Sequence, residues 1–286
     1  MYRKIKRSIF SVLLGLLLVG GVKAYASEIT DVSTIYDNAV KENIIDPTLY
    51  PKNDWLDDEK KYMRPNYDFF KSNILDSVSY NEWLEMNNYG VMSDTKLPLL
   101  QNKNSNRRQA RSAQDNINKF CKDAKAGDIL IVSGNFPTGV IGHAAIMNSD
   151  NTVLEMSGGK GWEKGIPDNN HQYSKRTWIK NHIKDWTSIY RISDSKLAKK
   201  VARYVDTHYF SSKGTAAKDI HIDYKIDSLL KNKNPNYCSK LVYQAFYYGT
   251  GDLPVMKPTI PWGVIPPANL PTTFSNSYKP TYIGRY

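Results

Sequence analysis

The hydrophobic period of this chain changes near residue 118, and that change limits what it can fold into. Before it, apolar residues recur at helical spacing. "TIYDNAVKENII" places Ile35, Val40, Ile44 and Ile45 at roughly helical intervals, and "NYDFFKSNIL" and "NEWLEMNNYG" behave alike, the last ending at Gly90. After it come short strands: "GDILIVSG" (127–134), "GHAAIMN" (142–148), "TVLEMSG" (152–158) and "TSIYRIS" (187–193). "NSDN" is rich in turn formers, so the second and third strands are expected to form a hairpin. "DSKLAKKVARYVDTHYF" predicts an amphipathic helix capped by Asp194 or Ser195, with Leu197, Val201 and Val205 on one face and Tyr204 and Tyr209 beside it. The expected class is α+β: an antiparallel sheet or barrel packed on helices, with an N-terminal helical extension. The polar stretch "NKNSNRRQARSAQDN" marks the expected boundary, giving a helical region over 27–115 and a second domain over 116–286.

The first 26 residues are expected to be a leader. Arg3, Lys4, Lys6 and Arg7 precede the uncharged run "SIFSVLLGLLLVGGV", and small residues follow at Ala24 and Ala26. That order describes a secretory signal peptide cut after Ala26, and the run is shorter than the roughly 20 residues a membrane span requires. Removing it takes away five positive charges, Lys23 included, and lowers the net charge from +11 to +6. A basic, exported protein at the cell surface or wall suits anionic envelope polymers, although charge alone does not select a partner. Nucleic acid is not expected: the dense basic patches, "NRRQAR" and "KLAKKVARY", read as a linker and as the wet face of a helix.

Two cysteines, Cys121 and Cys238, allow one disulfide at most. Cys238 lies in "PNYCSKLVYQAF". Pro235 and Asn236 are expected to stop the preceding segment and cap a helix, with Leu241, Val242, Ala245 and Phe246 as its apolar stripe and Gly249 as its end. Cys238 then falls in the first helical turn, where unpaired backbone N–H groups and the helix dipole stabilise a thiolate. The same N–H groups can hold an oxyanion.

A thiolate nucleophile needs a base. Of His143, His171, His182, His208 and His221, the last four sit in polar loops or near helix ends and are expected to face solvent. His143 opens an apolar strand after Gly142 and precedes Ala144 and Ala145, which leave room for a substrate. Glu155 interrupts the returning strand. A three-residue turn at Asn148–Asp150 would set Glu155 opposite His143, with Cβ atoms about 5 Å apart. A four-residue loop would set Met156 there instead. No HExxH or CxxC is present, so neither a metal nor another cofactor is expected.

In their order, "GDILIV", "GHAAIM", "VLEMSG", "SIYRIS" and "NYCSKLVYQAFYYGTG" resemble the permuted papain-like amidases of the YaeF/YiiX and YycO-like group, distant relatives of the NlpC-type cell-wall hydrolases. The resemblance spans roughly residues 120–285, with the histidine strand before the cysteine helix, which is the permuted order. It implies a circularly permuted papain-like fold with Cys238 as nucleophile, His143 as base and Glu155 as the third polar residue. It implies a secreted thiol hydrolase acting on amides, with cell-wall peptides in peptidoglycan as the expected substrate. Lipid or N-acyl hydrolysis and acyl transfer stand as the alternative, as does a non-catalytic wall-binding protein with a Cys121–Cys238 disulfide. The resemblance says nothing of residues 27–115. That region could cover the cysteine cleft, bind the wall or stabilise the fold.

Overall fold

In a computed structural model, residues 31–100, 112–134 and 139–286 are described. The expected signal peptide and most of the polar stretch before residue 112 lie outside them. The centre is a six-stranded antiparallel sheet: β1 (Ile129–Ser133), β2 (His143–Met147), β3 (Thr152–Met156), β4 (Asn170–Ser174), β5 (Trp186–Arg191) and β6 (Thr281–Arg285). Their spatial order is β4-β3-β2-β1-β5-β6. The four strands expected from sequence are present. β4 and β6 were not anticipated, because "NHQYS" and "TYIGR" carry few apolar residues and sit at the two edges of the sheet.

Four helices precede the sheet: α1 (Val32–Lys41), α2 (Lys52–Asp58), α3 (Arg64–Asn73) and α4 (Tyr80–Met86), with a π-helical turn at Glu59–Met63. α4 starts with a capping box in which Ser79 and Glu82 bond each other's backbone N–H groups. α5 (Ala113–Asp123) leads into β1, and α6 (Lys175–Asn181) separates β4 from β5. α7 (Ser195–Tyr209) is capped by Asp194, whose Oδ1 accepts from the backbone of Lys196 and Leu197. α8 (Cys238–Gly249) follows a long connection.

Strand alternation sends successive side chains to opposite faces. Ile129, Ile131, Ala144, Ile146, Leu154 and Met156 join one large cluster with residues of α1, α2, α3, α4, α7 and α8. Leu130, Val132, Ala145, Met147 and Val153 join a smaller one with Ile117 and Phe120 of α5 and Trp178 and Ile179 of α6. Residues on both sides of the expected 115/116 boundary therefore share one core, and Val32–Tyr286 forms one compact unit.

The N-terminal helices also hold the backbone that leads into β2. The Asn66 side chain accepts from Gly139 N–H, Trp83 Nε1 donates to the Gly139 carbonyl, and Asn87 Oδ1 accepts from Ile141 N–H. Gly142 then turns the chain at φ +86°, a left-handed conformation that favours glycine, so the residue before His143 is glycine for a backbone reason.

Candidate active site

The hairpin register differs from the expected one. Ala145 pairs with Glu155, Ile146 with Leu154 and Met147 with Val153, so neither Glu155 nor Met156 lies opposite His143. The turn is longer than three residues because Ser149 Oγ accepts from the backbone of Asn151 and Thr152, building a local loop. Parity is nevertheless kept. His143 shares a face with Ala145, hence with Glu155, and the two make a diagonal pair. His143 Nε2 lies 2.9 Å from Glu155 Oε2, both side chains being buried.

Two donors meet that carboxylate oxygen and a third ring nitrogen lies near it. Trp178 Nε1 donates to Oε2 at 2.7 Å, and His182 Nε2 is 3.6 Å away. His182 packs on Trp178 and stacks over His143, and its Nδ1 faces Asp185 at 3.6 Å. His182 was expected to face solvent, yet only 14% of its side chain is exposed. The signal was available: in "KRTWIKNHIKD", Trp178, Ile179 and His182 stand at i, i+1 and i+4, one helical face. His208 and His221 are exposed as expected, whereas His171 on β4 is half-buried.

Cys238 arrives from the other face of the sheet. α8 packs on β2 and β3, and its stripe of Leu241, Val242, Ala245 and Phe246 is fully buried. The helix begins one residue later than expected: Tyr237 is the N-cap, because the Asn236 side chain is taken up by Tyr237 N–H and Gln244. Gly249 is the last helical residue and serves close packing on Tyr204. Cys238 thus occupies the first helical position, with the unpaired N–H groups of that turn around it. Beneath it, Lys240 is buried and donates to Asp227 at 2.9 Å and to the Pro235 carbonyl at 3.0 Å, tying the preceding loop to the helix.

The β2–β3 ladder stops at Ala145, leaving His143 and Ala144 beyond it. There the Cys238 thiol meets the His143 ring and the Ala144 backbone amide. With Nε2 held by Glu155, Nδ1 is the ring nitrogen left for sulfur. Burial alone would lower the His143 pKa, but hydrogen bonds to Cys238 and Glu155, and their charges, raise it to about 10. Burial would raise the Cys238 pKa, and the His143 bond and charge overcome it, so the thiol is shifted down. Burial likewise opposes ionisation of Glu155, and the hydrogen bonds from His143 and Trp178, with His182 beside them, hold it below the ordinary carboxylate range. The shifts agree on one state, a thiolate–imidazolium pair backed by a carboxylate.

The ligand atoms of His143, Glu155 and His182 lie within 4.8 Å of one another. Two imidazoles and a carboxylate suit zinc, but a metal here would have to break the His143–Glu155 bond. Cys121 lies on α5, partly buried against the smaller cluster; both cysteines are free, so the Cys121–Cys238 disulfide considered from sequence is not formed.

A family model described as lipoprotein N-acylation protein LnsA-like matches residues 95–286. The chain belongs to the LnsA-like family. It is also 36% identical over 271 residues, 93% of each chain, to an uncharacterized 30.3 kDa protein of Bacillus thuringiensis. No solved structure matches. The family match takes in all three site residues and starts at residue 95, before the boundary expected at 115/116. A link between the LnsA-like family and the permuted papain-like amidases is not part of that match, and the family description points to acylation rather than to cell-wall cleavage.

Proposed function

We propose that this protein is a thiol-dependent acyltransferase that carries an acyl group on Cys238 from an ester donor to an amine. The observation that supports it most is the Cys238–His143–Glu155 constellation, with the thiol at a helix start and the imidazole oriented by a buried carboxylate. The thiolate attacks the donor's carbonyl carbon, and the N–H groups of the first turn of α8 stabilise the oxyanion. The carbon–oxygen bond breaks, the alcohol leaves with the proton held by His143, and a thioester remains. An amine then attacks the thioester. The carbon–nitrogen bond forms, the carbon–sulfur bond breaks, and His143 takes the amine's proton beside the restored thiolate. Glu155 holds the ring throughout, as the third member of such triads does.

The family description, lipoprotein N-acylation, supports an amine acceptor and a lipid-derived acyl group. Burial supports transfer over hydrolysis, because Cys238 is only 3% exposed and a thioester there is kept from bulk water. A circularly permuted papain-like arrangement, with the base strand before the nucleophile helix, fits the same chemistry. Export and action at the envelope surface belong to this reading.

The test is to incubate the full chain with phospholipid vesicles and an acceptor peptide bearing a free N-terminal amine, then read intact masses. An acyl adduct on Cys238 that is discharged to the peptide is the expected result. Release of peptides from purified peptidoglycan, with no adduct from lipid, would establish the amidase alternative and sink this one.

A further inference from the structure

A cleft of about 240 Å³, one of whose wall residues is bonded to both neighbours of Cys238, is left unused by the chemistry above. Its walls are chiefly Met86 at the end of α4 and Ile260, Trp262, Val264, Ile265 and Pro266 from the connection after α8. Its polar lining, Lys257 and Thr259 among it, includes exposed positions on the surface.

The cleft is fastened to the nucleophile. Ile265 N–H donates to Tyr237 Oη at 3.1 Å, and Ser239 Oγ donates to the Ile265 carbonyl at 2.5 Å. Tyr237 and Ser239 are the residues on either side of Cys238. Ser239 Oγ is itself 3.9 Å from Cys238 Sγ, so Ser239 links Ile265, a wall residue of the cleft, to the sulfur. Trp262 is 36% exposed and sits at φ +58°, a left-handed conformation that a bulky residue adopts only when its surroundings impose it. The next residue, Gly263, packs closely: an added Cβ would stand 2.5 Å from the Ser228 carbonyl. Trp262 is one of the residues lining the cleft.

We propose that this cleft binds one fatty acyl chain, with the chain's carbonyl end toward Cys238. This rests on the acyl-transfer reading and specifies its substrate. The cavity is smaller than the about 300–1,000 Å³ of sites for drug-sized ligands, so an unbranched chain fits where a folded peptide does not. Apolar walls give such a chain roughly threefold to fourfold in affinity for each methylene buried. Lys257 is placed to meet an anionic group outside the cleft.

The experiment compares p-nitrophenyl acetate with p-nitrophenyl octanoate as donors to the full chain, following nitrophenol release and the mass added at Cys238. In parallel, a brominated fatty acid is titrated as a quencher of tryptophan fluorescence. Expected are a preference for octanoyl of at least about tenfold, and quenching that weakens in Trp262→Phe. Ile260→Trp fills the cleft and should remove the preference while acetyl transfer serves as the reference within the same protein. Thr272→Trp fills it from another wall and replaces Ile260→Trp if that variant melts before the assay temperature.

Equal rates for the two esters in the wild-type protein overturn the cleft assignment and leave the thioester chemistry standing. A preference that survives both filling variants also overturns it. Quenching that depends on Trp262, with no adduct from either ester, overturns the acyl-transfer reading and leaves the fatty-acid site standing.

Discussion

The two faces of the central sheet are built on different terms. One carries a large cluster running from Ile35 on α1 to Phe274 near the C-terminus, with buried ions such as Lys240 and Asp58 held beside it by hydrogen bonds. The other carries a smaller cluster from α5 and α6 and accommodates a buried carboxylate. A buried charge is tolerated only when its hydrogen-bonding capacity is met. Glu155 meets that condition through His143 and Trp178, with His182 close by. The large face therefore supplies bulk burial and fixes the cysteine helix. The small face supplies the His143–Glu155 pair. The two meet where β2 runs past the end of its ladder with β3. The geometry of the candidate site depends on the stability of the apolar face, since Cys238 and His143 approach from opposite sides of one sheet.

The strongest test of that dependence is to express residues 112–286 alone. The fragment loses Trp55, Phe70, Trp83 and the other fully buried aromatics of the N-terminal helices, along with the bonds that hold Gly139 and Ile141. It should show no cooperative thermal transition, as judged by circular dichroism. A soluble fragment that melts cooperatively and still alkylates at Cys238 would mean that the helical region is an accessory, or a cover over the cleft.

Cys238→Ala comes next. It should reduce acyl transfer by at least about a thousandfold without moving the melting temperature much, since the thiol is replaced by a smaller group in an otherwise intact helix start. Residual adduct formation at Cys121 in that variant would place the nucleophile on the wrong face.

Glu155→Gln sharpens the electrostatic half of the comparison. An amide can still orient the ring, so turnover should fall roughly tenfold to a hundredfold, less than for His143→Ala, which removes proton transfer. The pH profile should change too. In the wild-type protein the lowered Cys238 pKa keeps iodoacetamide alkylation fast below the ordinary thiol range of about 8.5. Without the carboxylate the imidazolium is less favoured, and the acid limb of the profile should move to higher pH; an unmoved limb means Glu155 has no electrostatic part. Stability follows the same logic. The raised His143 pKa contributes stability in full below about 6.5, and this is lost as pH rises through about 10. The depressed Glu155 pKa contributes above the ordinary carboxylate range and is lost as pH falls below it. Thermal melts across pH should therefore show a plateau between those limits; Glu155→Gln removes the acid-side loss and brings the alkaline-side loss to lower pH.

The smallest effect is expected for Cys121→Ala. Its side chain is partly buried at the margin of the smaller cluster and is unbridged, so the cost should be about 1 kcal/mol or less in denaturant unfolding. A much larger loss would show that the small face tolerates less than its size implies.

Local pattern determined a good deal of this protein. Near-continuous apolar runs in "ILIVS", "HAAIM" and "TVLEM" marked three neighbouring strands, because a strand covered on both faces must be apolar in both phases. The spacing in α7 and α8 fixed which side of each helix is buried, and the place of Cys238 at a helix start follows from the residues around it. His143 and Glu155 were legible as a pair because strand parity survives a change in turn length that keeps the two on one face. Tertiary structure decided the rest. The edge strands β4 and β6 form because neighbours offer them ladders, which their own weakly apolar sequences do not announce. The union of the N-terminal helices with the sheet arises from packing between residues distant in sequence, and no local period records that. Trp178 and His182 join the site only because α6 folds back across β3, bringing an indole and a second imidazole to a carboxylate some two dozen residues earlier in the chain. A buried charge needs partners from wherever the fold can supply them, and that choice is made in three dimensions.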